Sequence, residues 1–116
     1  MTDKMVQGRL GEQLAADFLL GIGYTIIEKN YRVRGGEIDI IAFDGEILVF
    51  VEVKTRKNAN FALAREYVTR KKQSHIIHAA TLYVMRHKLD CRCRFDVIEV
   101  YTTQNIQIVH LIDAFE

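Results

Sequence analysis

The sequence predicts an α/β fold with two helices and five strands in the order α-β-β-β-α-β-β. Two stretches carry apolar residues at helical spacing, and five runs are rich in β-branched and aromatic residues. An Asp-Gly dipeptide joins two of these runs. Elements in this order form one sheet with helices packed on it. The chain has 116 residues, so we expect residues 1–116 to form a single domain.

The first elements are a helix, a strand and a bend. Apolar positions at helical spacing predict a helix over Val6–Leu20, and Gly21 and Gly23 then end it. A strand over Tyr24–Tyr31 follows, and Arg32–Gly36 is predicted to be a basic bend that ends in glycine.

A β-hairpin is predicted next. Asp44-Gly45 separates strands over Glu37–Phe43 and Glu46–Thr55. Asp-Gly favours a two-residue type I′ turn, which needs positive φ at both central positions. This turn predicts that Phe43 faces Glu46 across the hairpin.

The second half is predicted to contain one long helix and two closing strands. After a polar stretch at Arg56–Asn60, the helix covers Arg65–His87. Its apolar stripe consists of Val68, Ile76, Ala79, Ala80, Tyr83 and Val84. Strands over Phe95–Tyr101 and Ile106–Ile112 complete the sheet.

The composition is that of a soluble globular protein, with 49% apolar and 27% charged residues. No apolar run exceeds Ile47–Val51, and residues 1–5 lack the apolar stretch of a secretory signal. We therefore expect a cytoplasmic protein that does not contact membranes. Cys91 and Cys93 are too close in sequence for an easy disulfide and lack the second pair of a zinc site, so we expect structural or surface cysteines.

The net charge is +1, but the charges are unevenly distributed. Between residues 54 and 72 there are seven basic residues and one acid, Glu66. The basic residues are Lys54, Arg56, Lys57, Arg65, Arg70, Lys71 and Lys72. Such a cluster indicates either a polyanion partner or a solvated helix face, and taken alone it favours the solvated face.

The hairpin register groups acidic side chains. With the turn at residues 44 and 45, Asp39 faces Phe50 and Glu37 faces Glu52. Alternation then places Glu37, Asp39, Glu52 and Lys54 on one face. The opposite face is apolar and consists of Ile38, Ile40, Val49, Val51 and Val53.

This grouping of carboxylates has an electrostatic cost. Two charges 4–6 Å apart repel by roughly 3–4 kcal/mol at an effective dielectric constant near 20. That repulsion must be offset by a bound divalent cation, by a raised pKa of one of the carboxyl groups, or by side chains that point away from each other into solvent. Mg²⁺ suits such ligands, whereas the alternative is an exposed strand whose carboxylates face water.

Asp39, twelve intervening residues and Glu52-Val53-Lys54 resemble the D…(D/E)-x-K signature of the restriction-endonuclease-like nuclease superfamily. Ile38 stands where the motif PD-(D/E)XK has proline. The wider match resembles the uncharacterised YraN-like bacterial family. It covers residues 8–12 (GRLGE), 35–39 (GGEID), 49–56 (VFVEVKTR), 72–73 (KQ), 79–80 (AA) and 94–97 (RFDV).

The resemblance implies a fold similar to that of Holliday-junction resolvases, with a central mixed sheet flanked by helices. It implies that Asp39, Glu52 and the Val53 carbonyl bind Mg²⁺ or Mn²⁺ and that Lys54 positions or deprotonates the attacking water. Glu12 would be an outer ligand or support a second metal. Alternatively, Glu12 is simply an acid favoured in an early helical turn.

The remaining site predictions concern auxiliary and nucleic-acid-binding residues. Gln73 resembles the superfamily's auxiliary polar residue, and Glu37 either supports the ligands or matters only for the bend. The basic residues expected to contact the backbone phosphates of nucleic acid are Arg32, Arg34, Arg56, Lys57, Arg70, Lys71 and Lys72. No base-reading helix is evident, so we expect recognition of backbone or shape.

Three functions follow as alternatives. The first is a metal-dependent nuclease that acts on DNA, including branched DNA. The second is a nucleic-acid-binding module that keeps the nuclease fold without turnover. The third is a structural subunit whose carboxylates face solvent. Resolvase-like relatives form dimers to cut two strands, so the resemblance leaves both a monomer and a homodimer as alternatives.

Overall fold

The computed structural model describes residues 3–57 and 68–116, with the side chains of residues 3 and 4 excepted. The elements are α1 (Asp3–Gly21), β1 (Thr25–Val33), β2 (Gly36–Asp44), β3 (Ile47–Arg56), α2 (Arg70–Arg86), β4 (Cys93–Tyr101) and β5 (Gln107–Phe115). The predicted α/β class and the predicted order of elements are confirmed. Arg65 was predicted both to begin the second helix and to belong to the basic cluster, and it lies outside the described residues. The part of the predicted polar stretch that follows Lys57 lies outside them as well.

The five strands form one mixed sheet in the order β1-β2-β3-β4-β5. β3 and β4 are parallel, and every other neighbouring pair is antiparallel. Parallel neighbours need a long crossover connection, and α2 forms part of it.

The two helices belong to two separate hydrophobic clusters. The cluster with α1 contains Ala15, Ala16, Leu19, Tyr24, Ile40, Ala42, Val49, Val51, Ile98 and Val100. The cluster with α2 contains Ile38, Ile41, Leu48, Phe50, Val68, Ile76, Ala79, Ala80, Tyr83 and Val97. Residues 48 to 51 alternate between the two clusters, as a strand buried on both faces requires.

The hairpin turn lies one residue later than predicted. Asp44 pairs with Ile47, so the turn consists of Gly45 and Glu46. Gly45 has a φ of 61°, and Glu46 is not among the residues with positive φ. Glycine at the first central position is the requirement of a type II′ turn, whereas the predicted type I′ turn needs two positive φ angles. The predicted pairing of Phe43 with Glu46 is therefore wrong, and Phe43 pairs with Leu48.

The bend predicted over Arg32–Gly36 is shorter in the structure. β1 continues to Val33 and β2 begins at Gly36, so only Arg34 and Gly35 form the turn. Gly35 has a φ of 85°, a conformation that glycine adopts without steric cost. Arg32 consequently lies within the ladder and pairs with Glu37.

Helix α2 begins at Arg70, because Thr69 is its N-cap. The Thr69 hydroxyl accepts a hydrogen bond of 3.1 Å from the backbone N–H of Lys72. Val68 and Thr69 are not helical, although both fall inside the predicted helix. The helix therefore presents Arg70, Lys71 and Lys72 as its first three residues.

Two close approaches fix the helices on the sheet. A Cβ atom on Gly11 of α1 would overlap the Thr55 hydroxyl on β3. A Cβ atom on Gly36 of β2 would overlap the His75 carbonyl on α2. Both positions are close to the predicted carboxylate ligands in sequence, so both helices are held tightly beside that part of the sheet.

A cluster of charged residues lies at the end of the sheet where β2 turns into β3. Arg94 donates hydrogen bonds to Asp96 at 2.9 Å and to Asp44 at 3.0 Å. His110 of β5 lies 2.8 Å from Asp96 through its Nε2. The Asp96 side chain is fully buried, and although burial disfavours its charge, the hydrogen bonds from His110 and Arg94 lower its pKa. The Arg94–Asp96 motif thus joins β2, β4 and β5.

Within the described residues, no helix is long and apolar enough to cross a membrane. Cys91 and Cys93 are free thiols, and Cys93 is exposed.

Candidate functional site

Asp39 lies at a distortion of the β1–β2 ribbon. Ile38 packs in the cluster with α2, but Ile40 packs in the cluster with α1. Residues two apart on a regular strand point to the same face, so the alternation breaks at Asp39. The prediction that Ile38 and Ile40 share a face is wrong for this reason.

An irregular backbone conformation lies opposite this distortion on β1. Asn30 lies between the pairs Lys29–Ile40 and Tyr31–Ile38, and is therefore at the position facing Asp39. Its φ of 55° is in the left-handed region, which asparagine tolerates better than most residues. Asn30 was absent from the sequence-based site, and the known preference of asparagine for this conformation was the only signal.

The Asp39 carboxylate contacts the backbone of β3. Its Oδ2 accepts a hydrogen bond of 2.8 Å from the Val53 N–H. The described β2–β3 pairs extend only to Ile40–Val51, and this hydrogen bond joins the two strands beyond that point. The predicted pair of Asp39 with Phe50 is wrong, since Phe50 pairs with Ile41. The predicted pair of Glu37 with Glu52 rests on the same register, which the observed β2–β3 pairs replace with one shifted by two residues on β3.

Glu52 is buried beside Asp39, and its side chain is only 7% exposed. Burial and the Asp39 carboxylate raise the pKa of Glu52 to about 8. Burial also raises the pKa of Asp39, although the hydrogen bond from Val53 opposes that rise. The two acids therefore resist carrying two negative charges at neutral pH.

Glu12 adds a third carboxyl group from α1. Burial and the Asp39 carboxylate raise the pKa of Glu12 to about 7. The Asp39 carboxylate thus raises the pKa of both Glu12 and Glu52. The three acids titrate as one interacting set, and their raised pKa values reduce the total negative charge at neutral pH.

The three carboxyl groups line an open groove of about 930 Å³ between α1 and the strands. The groove is also lined by four basic residues: Arg9, Arg32, Lys54 and Lys57. Arg32 forms an ion pair of 3.0 Å with Glu37, which lines the groove as well. Carboxylates and cations side by side in a groove can bind a metal ion and a phosphate together.

Two lysines differ in their relation to the carboxylates. The Nζ of Lys72 lies 3.8 Å from the Oε1 of Glu52. Lys54 lines the groove but forms no ion pair with Asp39 or Glu52 in the part of the chain that the structure describes. Both lysines oppose the rise in the pKa of Glu52, and Lys72 does so more strongly than Lys54.

The donor set suits Mg²⁺ or Mn²⁺ better than it suits zinc. Among the described residues, no three His, Cys, Asp or Glu side chains converge as ligands of one ion. Mg²⁺ is typically held through one or two carboxylates together with waters and substrate phosphates. Asp39 and Glu52 could supply those carboxylates, and Val53 lies beside them in the groove lining.

The other predicted residues lie apart from the groove lining. The Gln73 amide donates a hydrogen bond of 2.8 Å to the Val68 carbonyl and so supports the start of α2. Arg70 and Lys71 are exposed in the first turn of α2. Arg34 is exposed in the β1–β2 turn, and the Arg56 carbonyl accepts a hydrogen bond of 2.8 Å from the Thr102 N–H. Of the predicted phosphate contacts, Arg32 and Lys57 line the groove.

Comparisons with known proteins give a consistent family assignment. The sequence model of the uncharacterised protein family UPF0102 matches residues 11–100. A UPF0102 protein of Dehalococcoides mccartyi is 44% identical over 98 residues, which are 84% of this chain and 81% of that protein. One of Syntrophus aciditrophicus is 44% identical over 118 residues, covering 100% of this chain and 93% of the relative. One of Symbiobacterium thermophilum is 51% identical over 94 residues, or 80% of each chain. The chain belongs to the UPF0102 family, the YraN-like family that its motifs resemble.

Proposed function

We propose that this protein is a Mg²⁺- or Mn²⁺-dependent nuclease of the restriction-endonuclease-like superfamily. It hydrolyses phosphodiester bonds of nucleic acid, and we expect DNA, including branched DNA, as the substrate. The observation that carries the proposal is that the carboxyl groups of Glu12, Asp39 and Glu52 lie together in a groove that Lys54 also lines. The same Asp39, Glu52 and Lys54 form the resemblance to the nuclease signature.

The cluster of three carboxyl groups has the electrostatic character of a cation site. Glu12 and Glu52 have pKa values raised to about 7 and about 8, because burial and Asp39 disfavour their charged forms. A divalent cation beside Asp39 and Glu52 would reverse that effect. Bound there, the metal would polarise the phosphodiester and acidify a water molecule.

The residues of the chain have distinct roles in this proposal. Asp39 and Glu52 hold the ion, while the hydrogen bond from Val53 to Asp39 fixes one carboxylate against β3. Lys54 positions or helps to deprotonate the attacking water and stabilises the charge that develops on the phosphate. Arg9 and Lys57 are groove cations that contact the backbone phosphates.

A cleavage assay on labelled single-stranded, duplex and four-way-junction DNA tests the proposal. The assay contains Mn²⁺, Mg²⁺ or EDTA and compares the wild type with Asp39→Asn and Lys54→Ala. Glu46→Gln is the matched control, because Glu46 is an exposed carboxylate in the hairpin turn. Metal-dependent products that disappear in both site variants and persist in the control support the nuclease. Products that form equally in EDTA, or in Asp39→Asn, would refute it.

A nucleic-acid-binding module without turnover is the second candidate. It is favoured by one observation: Lys72 forms an ion pair with Glu52, whereas Lys54 does not in the described chain. This module predicts metal-dependent DNA binding, no cleavage of any of the three substrates, and no change in affinity in Lys54→Ala.

A further inference from the structure

The inference concerns Lys72 of α2, whose side chain reaches the Glu52 carboxylate from the α2 side of the sheet. Its Nζ lies 3.8 Å from the Glu52 Oε1. The Glu52 side chain is 7% exposed, but that of Lys72 is 36% exposed. The ion pair is therefore buried at the carboxylate and open to solvent at the ammonium group. Lys72 can leave Glu52 without crossing the protein interior.

The position of Lys72 in the helix is electrostatically unfavourable. It is the third residue after the N-cap Thr69, where a capping box would place Glu or Gln. The first turn of α2 contains no acid, although the positive end of a helix dipole favours acids and disfavours cations. A local rule broken in this way is often associated with a functional position, and here the nearby carboxylates offset the cost.

The backbone around Lys72 is firmly placed. The Lys72 N–H donates to the Thr69 hydroxyl at 3.1 Å, and the Gln73 side chain holds the Val68 carbonyl at 2.8 Å. One turn further on, the His75 carbonyl lies against Gly36 of β2. The lysine therefore starts from a fixed point beside Glu52, and only its flexible side chain needs to move.

We propose that Lys72 is an intramolecular counter-ion that competes with the divalent metal for Glu52 and, once displaced, binds a backbone phosphate of the nucleic acid. This inference rests on the proposed function. The same lysine thus couples the two binding events: an entering metal ion repels the ammonium group, and the part-exposed lysine then becomes available to the polyanion. Metal binding and nucleic-acid binding consequently reinforce each other.

Mn²⁺ titration of the full chain by isothermal calorimetry tests the competition. In Lys72→Gln we expect Mn²⁺ to bind about two- to fivefold more tightly than in the wild type, which is the range expected from loss of a part-exposed ion pair. Lys72→Arg retains the charge and should retain the wild-type affinity. Lys88→Gln is the matched control, since it removes the same charge from an exposed residue just beyond the other end of α2.

The coupling is tested by fluorescence anisotropy with labelled duplex DNA in a Lys54→Ala background, which prevents turnover. Adding Mn²⁺ should steepen the salt dependence of binding by about one unit of log–log slope, corresponding to one extra phosphate contact. This increment should be missing when Lys72→Gln is added.

The outcomes separate the inference from the proposed function. Equal Mn²⁺ affinity in the wild type and Lys72→Gln would overturn the counter-ion role and leave the metal-dependent nuclease intact. An Mn²⁺-induced slope increment that persists in Lys72→Gln would overturn the phosphate role. Failure of Mn²⁺ to bind the wild type and every variant would overturn the metal site and the inference together.

Discussion

Gly11 of α1 lies directly against Thr55 of β3, so closely that a Cβ atom at position 11 would overlap the Thr55 hydroxyl. The next residue on the helix is Glu12, and the preceding residue on the strand is Lys54. The contact therefore sets the distance between the helix that carries one carboxyl group and the strand that carries Glu52 and Lys54. It is a packing contact with a direct effect on the site.

Replacing Gly11 by alanine should push α1 away from β3. We expect Gly11→Ala to lower the free energy of unfolding by about 1–3 kcal/mol, the usual cost of overpacking. Urea unfolding of the metal-free protein measures this change.

Gly8→Ala is the matched control, because a Cβ atom at Gly8 would have no neighbour within 4 Å. In that helical position alanine should stabilise the protein by about 0.5–1 kcal/mol. Combining Gly11→Ala with Thr55→Ala should recover part of the loss, since the hydroxyl that overlaps is removed. Equal stability of Gly11→Ala and Gly8→Ala would contradict the close contact.

The stability of the metal-free protein should fall as the pH rises from about 5 to about 8. Glu12 and Glu52 have folded-state pKa values raised from 4.5 to about 7 and about 8. The folded state therefore binds more protons than the unfolded state in this window, and the stabilisation present below pH 4.5 is lost as the pH passes the raised pKa values.

Urea midpoints measured between pH 5 and pH 9 in EDTA test this pH dependence. In Glu52→Gln the fall should be smaller, because the group with the higher pKa is removed. Glu46→Gln, which alters an exposed carboxylate, should follow the wild-type curve. A midpoint that increases with pH over this window would contradict the raised pKa values.

Metal binding should depend on pH in the opposite direction. Mn²⁺ held by Asp39 and Glu52 must replace the proton on Glu52, whose pKa is raised to about 8, and its charge also favours loss of the proton on nearby Glu12, whose pKa is raised to about 7. We therefore expect Mn²⁺ to raise the melting temperature more at pH 8 than at pH 6, as measured by differential scanning calorimetry. Asp39→Asn should abolish the increase at both pH values. An increase of the same size in Asp39→Asn would place the metal elsewhere.

The meeting of Asp39 and Glu52 could be predicted even though the turn was misplaced. Moving the turn from residues 44–45 to residues 45–46 shifts the strand pairing by two residues. Side-chain direction has a period of two, so a shift of two leaves the side chains on the same face wherever the strands are regular, that is, up to the break at Asp39. Local turn chemistry and alternation therefore predicted that Asp39 and Glu52 lie near each other but not their strand partners.

The distortion at Asp39 and the contact of Lys72 with Glu52 could not be predicted in this way. Asn30 adopts a left-handed backbone within a run that otherwise indicates a regular strand, and the change of face between Ile38 and Ile40 becomes apparent only in the packed sheet. The Lys72–Glu52 contact joins residues 20 positions apart on different elements. It depends on how α2 packs against Gly36, which is a tertiary property.

The groove cations should determine the strength of nucleic-acid binding. Arg9 and Lys57 line the groove, so Arg9→Gln and Lys57→Gln should each weaken duplex DNA binding and reduce its log–log salt slope by about 0.9. Fluorescence anisotropy at salt concentrations between 50 and 200 mM measures both effects, in EDTA so that no metal contributes. Lys88→Gln, an exposed lysine beyond the end of α2, should leave affinity and slope unchanged. If all three variants lost the same affinity, binding would reflect only net charge, and the groove would have no special part in it.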